Sequence, residues 1–475
     1  MQVGEGCGQV AVSRGVFSAP YRGLTVGVVL AVGLVAFESL GVATVLPEIA
    51  HRLHGLHAYG WGLSALMLAQ IVGAVAAGGA ADRHGPARPL AWGLLAFAAG
   101  CALGGAAQSW PVFLAGRFTQ GLGVGVVMGM AYALIGSAYP QALRARMFAL
   151  LSSAWTVPSL IGPTLAAEIA AGAGWRGVFM LLLPLIAVAA VLTVPSARRT
   201  GRTAAQDTAD ETDGGHAPGG RGAWEAVVSS VLLAAGTGLL VQAPTLEDTA
   251  LLTVLAIAGL AVAVTALRRV TPAGTLTARR GVGAGVATRF LLCAVYFGSE
   301  AFLPLGLTDL RGVTATEAGL ALSAGALTWV LGSALQARRD GAGAPAGRAR
   351  GRTGAVATGW ALLLAGEVIM AAGVLAESIP PGIAIAGWAV GGVGMGVAFN
   401  AATTDTMERA GKRIGEVSGA LQLAQTLATA LISGLGGAAI ARGETRSALL
   451  ATFALTATLA VLGVLLTPRL REPAE

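Results

Sequence analysis

Apolar residues in this chain come in runs of about twenty, separated by short segments that hold most of the charge. A helix rising 1.5 Å per residue needs about 20 such residues to cross a hydrocarbon layer roughly 30 Å thick. Runs of that kind cover residues 24–47, 61–81, 89–107, 111–138, 147–171, 176–195, 223–243, 249–267, 282–308, 317–337, 354–376, 382–405, 415–441 and 445–467. The pattern predicts an all-α membrane protein with fourteen transmembrane helices. The seventh and eighth runs carry no motif.

The arginines test that count independently. With the N-terminus in the cytoplasm, 24 of the 31 Lys and Arg residues fall in inside segments, 5 fall outside and 2 lie within spans. This is the bias expected of cytoplasmic loops. Omitting one of spans seven and eight would invert the second half, whereas omitting both would keep the topology, so twelve is the alternative and ten is excluded. Both termini are predicted to be cytoplasmic.

Composition narrows the function. Hydrophobic residues make up 55% of the chain and charged residues 12%, against roughly 25% charged in ordinary soluble domains. The formal charge of +7 follows the loop bias and gives no reason to expect nucleic acid. Lys412 is the single lysine, and no phosphate-binding Gly-x-x-x-x-Gly-Lys motif exists, so an ATP-hydrolysing domain is excluded. Three cysteines, Cys7, Cys101 and Cys293, are too scattered for a disulfide scaffold or a metal site. Residues 1–22 hold no apolar run, so the first span is expected to serve as its own signal. No cofactor and no metal are expected, and the chain does not read as an enzyme.

The runs group as six, two and six. Residues 1–195 form a first six-helix bundle, 196–222 a polar stretch read as a disordered cytoplasmic linker, 223–281 an inserted helix pair with a basic cytoplasmic loop, and 282–475 a second six-helix bundle. Trp92-Gly-Leu-Leu in the third span answers Trp360-Ala-Leu-Leu in the eleventh. Gln120-Gly-Leu-Gly-Val-Gly-Val in the fourth answers Gly391-Gly-Val-Gly-Met-Gly-Val in the twelfth. Repeats of one orientation with a path between them are the plan of a rocking transporter. Glycines at every fourth position, such as Gly121, Gly125 and Gly129, read as close helix packing in lipid.

Charges inside spans are costly, about 2.5–3.5 kcal/mol each on insertion scales, and so point to partners, wet cavities or function. Glu38, Arg117, Glu300 and Glu367 lie about 9–14 Å below the outer surface at 1.5 Å per residue. Glu38 and Arg117 share the first half and have opposite sign. Protonating the acid would free the guanidinium, a proton-coupling switch in outline; a permanent structural pair is the alternative. Glu300 is the candidate acid of the second half, for protons or for a cationic substrate. Glu367 is the weaker candidate because Ala99 stands at its place in the first repeat. Arg289, near an inner end, is expected to snorkel. Glu48, His51, His54 and His57 recur every third residue and would drift about 60° per step on a helix, so solvated loop histidines are expected there. Tyr132, Trp155, Phe297, Trp329, Asn400 and Gln425 are candidates for lining a substrate cavity.

These residues also carry a resemblance. The loop Gly78-Gly-Ala-Ala-Asp82-Arg83-His-Gly85-Pro-Ala-Arg88-Pro-Leu90 resembles the signature of the major facilitator superfamily, Gly-x-Leu-Ala-Asp-Arg-x-Gly-Arg-Lys-x-x-Leu. Arg117-Phe-Thr-Gln120-Gly121-Leu-Gly123 is similar to the Arg-x-x-Gln-Gly-x-Gly motif of its fourteen-span drug/proton antiporters. Glu38 stands nine residues before Pro47, as an Asp does in those antiporters, although Leu40 replaces their Thr. Of the exporter motif in the fifth span, Gly162-Pro163 survives, with Pro158 and Ala166-Ala167 at other glycine positions.

The resemblance implies the major facilitator fold and a cytoplasmic latch of Gly78, Asp82, Arg83, Gly85 and Arg88. It also implies proton coupling through Arg117. The function expected is proton-coupled efflux of lipophilic or cationic small molecules, as in multidrug or natural-product export, by a monomer in a bacterial inner membrane. A metabolite importer or facilitator of the same superfamily is the alternative. Its partners would be the small-molecule substrate, protons and the lipid bilayer.

Overall fold

The computed structural model describes residues 15–19, 21–209, 220–246, 248–342, 345–410 and 413–470. Fourteen long helices run through them. The first half contains α1 (Arg22–Arg52), α2 (Trp61–His84), α3 (Ala87–Gly105), α4 (Trp110–Ala138), α5 (Gln141–Ala173) and α6 (Arg176–Ala209). Next come α7 (Gly220–Gln242) and α8 (Thr249–Val270). The second half contains α9 (Val282–Glu300), α10 (Ala315–Ala342), α11 (Pro345–Leu375), α12 (Gly382–Arg409), α13 (Ile414–Arg442) and α14 (Thr445–Leu466). No strand occurs among the described residues.

Thirteen helices are long and apolar enough to cross a membrane. The remaining one, α5, is 33 residues long, contains Pro158 and Pro163, and is dotted with Ser and Thr. A helix of that length exceeds the hydrocarbon thickness even with two kinks.

The stretch 196–222, expected to be an unpacked linker, differs from that reading at both ends. Helix α6 continues to Ala209 and α7 begins at Gly220. Ala204-Ala205-Gln206 are good helix formers extending an already nucleated helix. Residues 210–219 lie outside the described residues, as do 1–14 with Cys7.

The glycines explain how the helices approach. A Cβ at Gly121 or Gly125 would collide with the backbone of α2, at Leu66 and Gln70; one at Gly116 or Gly123 would collide with α3. In the second half Gly392 and Gly396 press on α10, at Gly325 and Trp329, while Gly387 and Gly394 press on α11. Partners correspond helix for helix, and the four glycine pairs keep one constant sequence offset. Small side chains let backbones touch where lipid offers no hydrophobic drive to associate.

Burial places the elements. The apolar window of α9 is 83% buried and that of α8 only 17%, so α9 sits inside and α8 on the rim. The inserted α7 packs against α2 and α13 together: Trp61 Nε1 donates to Gln242 at 3.0 Å. Leu233 shares a cluster with Ile71 and Leu427.

Candidate functional site

Helices α1 and α4 bring Glu38 and Arg117 together. Arg117 Nη1 donates to Glu38 Oε1, and both side chains are only 1% exposed. The guanidinium is held from two more directions. Its Nε donates to the Gly62 carbonyl of α2 at 2.8 Å, and Nη1 also donates to Gln120 Oε1 at 3.0 Å. Gln120 in turn donates to Cys101 Sγ at 3.2 Å. The second carboxylate oxygen, Glu38 Oε2, has no hydrogen-bond partner among the described residues. Arg117 is thus fixed by neutral acceptors that survive any change at Glu38, while among the described residues the carboxylate rests on Arg117. The α4 motif builds this local order: Arg117 and Gln120 are three residues apart and share a helix face. Gly121 and Gly123 let α4 close on α2 and α3.

The second half is arranged differently. Trp388, fully buried, stands at the position on α12 that corresponds to Arg117. Glu300 is the last residue of α9, 7% exposed, with no hydrogen bond or ion pair among the described residues. The helix breaks after it at Ala301–Phe302. It resumes as a turn at Leu303–Leu305 and a wide π-type turn at Gly306–Leu310. Glu367 is 1% exposed and faces inward; Ser299 and Thr456 hydroxyls donate to its Oε1 at 2.8 and 2.6 Å. It ties α9, α11 and α14 together.

Arg289 does not snorkel. It is 9% exposed, its guanidinium lies 3.5 Å above the Phe399 ring, and Nη1 donates to Thr403 at 2.9 Å. Two sequence candidates, Phe297 and Trp329, are half-buried beside it with ring centroids 5.6 Å apart. Tyr296 and Phe399, which sequence reading did not single out, complete that cluster. Tyr296 was legible only in retrospect, two turns from Arg289 on the same face of α9; Phe399, on α12, carried no signal.

The other candidates scatter. Tyr132 is 48% exposed near the inner end of α4. Trp155, Asn400 and Gln425 are half-buried, and Asn400 Nδ2 donates to the Ser333 carbonyl at 3.1 Å. In the latch loop Gly78, Arg83 and Arg88 are exposed, and a Cβ at Gly78 would meet nothing within 4 Å. Gly85 ends α2 with φ +72°, a conformation that favours glycine. The Asp82 side chain lies outside the described residues. Gly162 packs on Phe37, and the Pro163 carbonyl is where a Cβ at Gly319 would press. No group of three or more His, Cys, Asp or Glu among the described residues is arranged to hold a metal.

His51 is exposed, as expected, but it lies on α1 and not in a loop, and its Nε2 meets Asp309 Oδ2 at 3.0 Å. That contact is one of several joining the halves at the end which the arginine count assigns to the outside. Tyr59 Oη reaches the Ala301 carbonyl at 3.4 Å, Ser64 Oγ donates to the Ala430 carbonyl at 2.8 Å, and Thr316 Oγ1 donates to Glu168 at 2.9 Å. Between them Gly60 and Gly437 bring two backbones so close that a Cβ at either would collide. The outer mouth is shut.

The family model described as Major Facilitator Superfamily matches residues 28–340. A probable multidrug-efflux transporter of Mycobacterium tuberculosis is 27% identical over 432 residues, covering 88% of each chain. A methylenomycin A resistance protein of Streptomyces coelicolor is 29% identical over 356 residues, covering 73% of this chain and 70% of that one. Among solved structures, a peptide transporter superposes with a TM-score of 0.67 at 14% identity, over 97% of this chain and 98% of that one. The chain belongs to the major facilitator superfamily and is a multi-pass membrane transporter of small molecules.

Proposed function

We propose that this transporter exports lipophilic or cationic small molecules in exchange for protons. It works as a monomer in a bacterial inner membrane, by alternating access of two six-helix halves. The observation that carries the reading is the buried Glu38–Arg117 pair, whose carboxylate keeps one oxygen without a partner among the described residues. When the halves part on the outside, a proton enters at Glu38 Oε2 and neutralises the carboxylate, which weakens its hold on Arg117. Arg117 stays near its place through the Gly62 carbonyl and Gln120. When the halves part on the inside, Glu38 returns the proton to the cytoplasm and the cavity accepts substrate.

Two further observations support this reading. The closed outer mouth, with Tyr132 exposed on the inner side, suits the substrate-loading member of such a cycle. The relatives' names, multidrug efflux and methylenomycin A resistance, support export as the direction.

The test is ethidium efflux from proteoliposomes under an imposed pH gradient, with proton movement followed in parallel. Wild-type protein should move both in opposite directions. Glu38→Gln should abolish gradient-driven efflux while retaining substrate counterflow without a gradient. Transport by the wild type without proton movement would overturn the proposal. Full coupling in Glu38→Gln, with loss in Glu300→Gln, would move the proton site to Glu300.

A further inference from the structure

Three buried donors in one aromatic cluster of the second half have no acceptor among the described residues: Arg289 Nε, Tyr296 Oη and Trp388 Nε1. The rings join them into a continuous wall. Tyr296 stacks on Trp388 with centroids 4.5 Å apart and meets Trp329 at 5.2 Å; Trp329 meets Phe399 at 5.2 Å; and Arg289 lies over Phe399. Phe399 and Trp329 are half-buried, neither closed off completely from the surroundings.

Among the described residues Arg289 is a buried charge without a counter-ion. Arg117 has Glu38, whereas no carboxylate among the described residues pairs with Arg289. The titratable groups within its electrostatic reach are Cys293 on its own helix and Tyr132 from α4. Glu300 lies eleven residues further along the same face of α9, about 16 Å away at 1.5 Å per residue, and is out of reach. A cation–π contact and one hydroxyl acceptor hold the guanidinium in plane. They leave the charge uncompensated and the Nε donor free. A planar, permanently charged fork of N–H groups beside aromatic rings matches the two oxygens of a carboxylate on an aromatic skeleton.

We propose that this cluster is a subsite for the anionic group of an aromatic substrate, Arg289 taking the carboxylate and Trp329 with Phe399 flanking the ring. The inference rests on the export reading above and concerns those lipophilic substrates that carry an acid; a cation such as ethidium would meet a like charge at Arg289 and is held elsewhere in the cavity. An acid carrying one carboxylate and a fused-ring body fits both the charge and the rings.

The experiment measures binding, without a gradient, to purified protein in lipid nanodiscs at about pH 8, by quenching of tryptophan fluorescence. The probes are 2-naphthoate, its neutral isostere 2-naphthamide, and 2-naphthylmethylammonium. Wild-type protein should bind naphthoate at least about tenfold more tightly than naphthamide, and the ammonium more weakly than either. Arg289→Gln should erase the preference for the acid while leaving naphthamide affinity within about twofold. Arg289→Lys, which keeps the charge and loses the fork, should fall between.

Equal affinities for acid and amide in the wild type would overturn the proposal, and so would an undiminished preference in Arg289→Gln. If Arg289→Gln does not yield folded protein, the wild-type comparison and Arg289→Lys still decide. Because no gradient is used, failure here leaves proton-coupled export standing. Loss of coupling in the efflux assay would likewise leave this binding result standing.

Discussion

His51 and Asp309, 258 residues apart in the chain, meet at 3.0 Å across the outer mouth, one from the end of α1 and the other from the π-type turn beyond α9. The imidazole is half exposed and the carboxylate about one-fifth exposed. The contact ties an element of one half to an element of the other. In His51→Ala the outer mouth should open more often. Spin labels placed on the two halves should show a larger population at long outer distance. An unchanged distance distribution would show that other contacts alone hold the mouth.

Gly60 and Gly437 give a second handle on the same closure. A Cβ at Gly437 would overlap the Gly60 backbone, and backbone cannot swing aside as a side chain can. Gly437→Ala should therefore wedge the mouth. A cysteine at Ser64, buried in the closed form, should react faster with an impermeant maleimide added outside in that background. No change in labelling rate would mean that the seam accommodates a methyl by sliding.

Removing one partner of a buried ion pair typically costs about 3–5 kcal/mol, whereas removing both can be nearly neutral. Arg117→Ala alone strands Glu38 as a buried, unpaired carboxylate and should lower the thermal midpoint in detergent markedly. Arg117→Ala combined with Glu38→Gln should recover much of that loss. Additive losses in the double variant would indicate that the pair contributes little to stability.

Glu367 gives a contrasting case. It accepts from Ser299 and Thr456 and bridges three helices, and it has no cation beside it among the described residues. Glu367→Gln can keep both hydrogen bonds, so it should retain stability and gradient-driven efflux within about twofold. Glu367→Leu strands the Ser299 hydroxyl, whereas that of Thr456 can turn to the Thr452 carbonyl at 3.1 Å, and it should destabilise by about 1–3 kcal/mol. Loss of coupling in Glu367→Gln would make it part of the proton path.

Depth was legible in the residues; direction around the helix was not. Run length and arginine bias located every long helix, although α6 runs on to Ala209 and α11 begins at Pro345, well outside the apolar runs. The spacing of Glu38 and Arg117 from their span ends placed them in one slab, where they meet. Arg289 was misread because distance to a span end cannot say which way a side chain faces. Its neighbour Phe399 lies 110 residues on, in α12. His51 was read as a loop residue because α1 continues to Arg52, past the apolar run, and its partner arrives from a turn of the other half. Helix beyond Ser196 went unread because hydropathy marks the membrane boundary and not the end of a hydrogen-bonded ladder.

The wedge of α7 between α2 and α13 makes the molecule lopsided. The two halves meet the bilayer along two flanks. On one, Trp61, Ile71 and Leu427 are roofed by Gln242 and Leu233. On the other, α5 and α10 touch directly through Thr164 and Ser323, and the apolar side chains of Val157, Ile161, Leu320 and Leu327 stand bare. Of these two flanks the one along α5 and α10 is left uncovered by α7, so a greasy molecule dissolved among the acyl chains should approach there. Bulk added at Leu327 should slow such a molecule and spare one arriving from water.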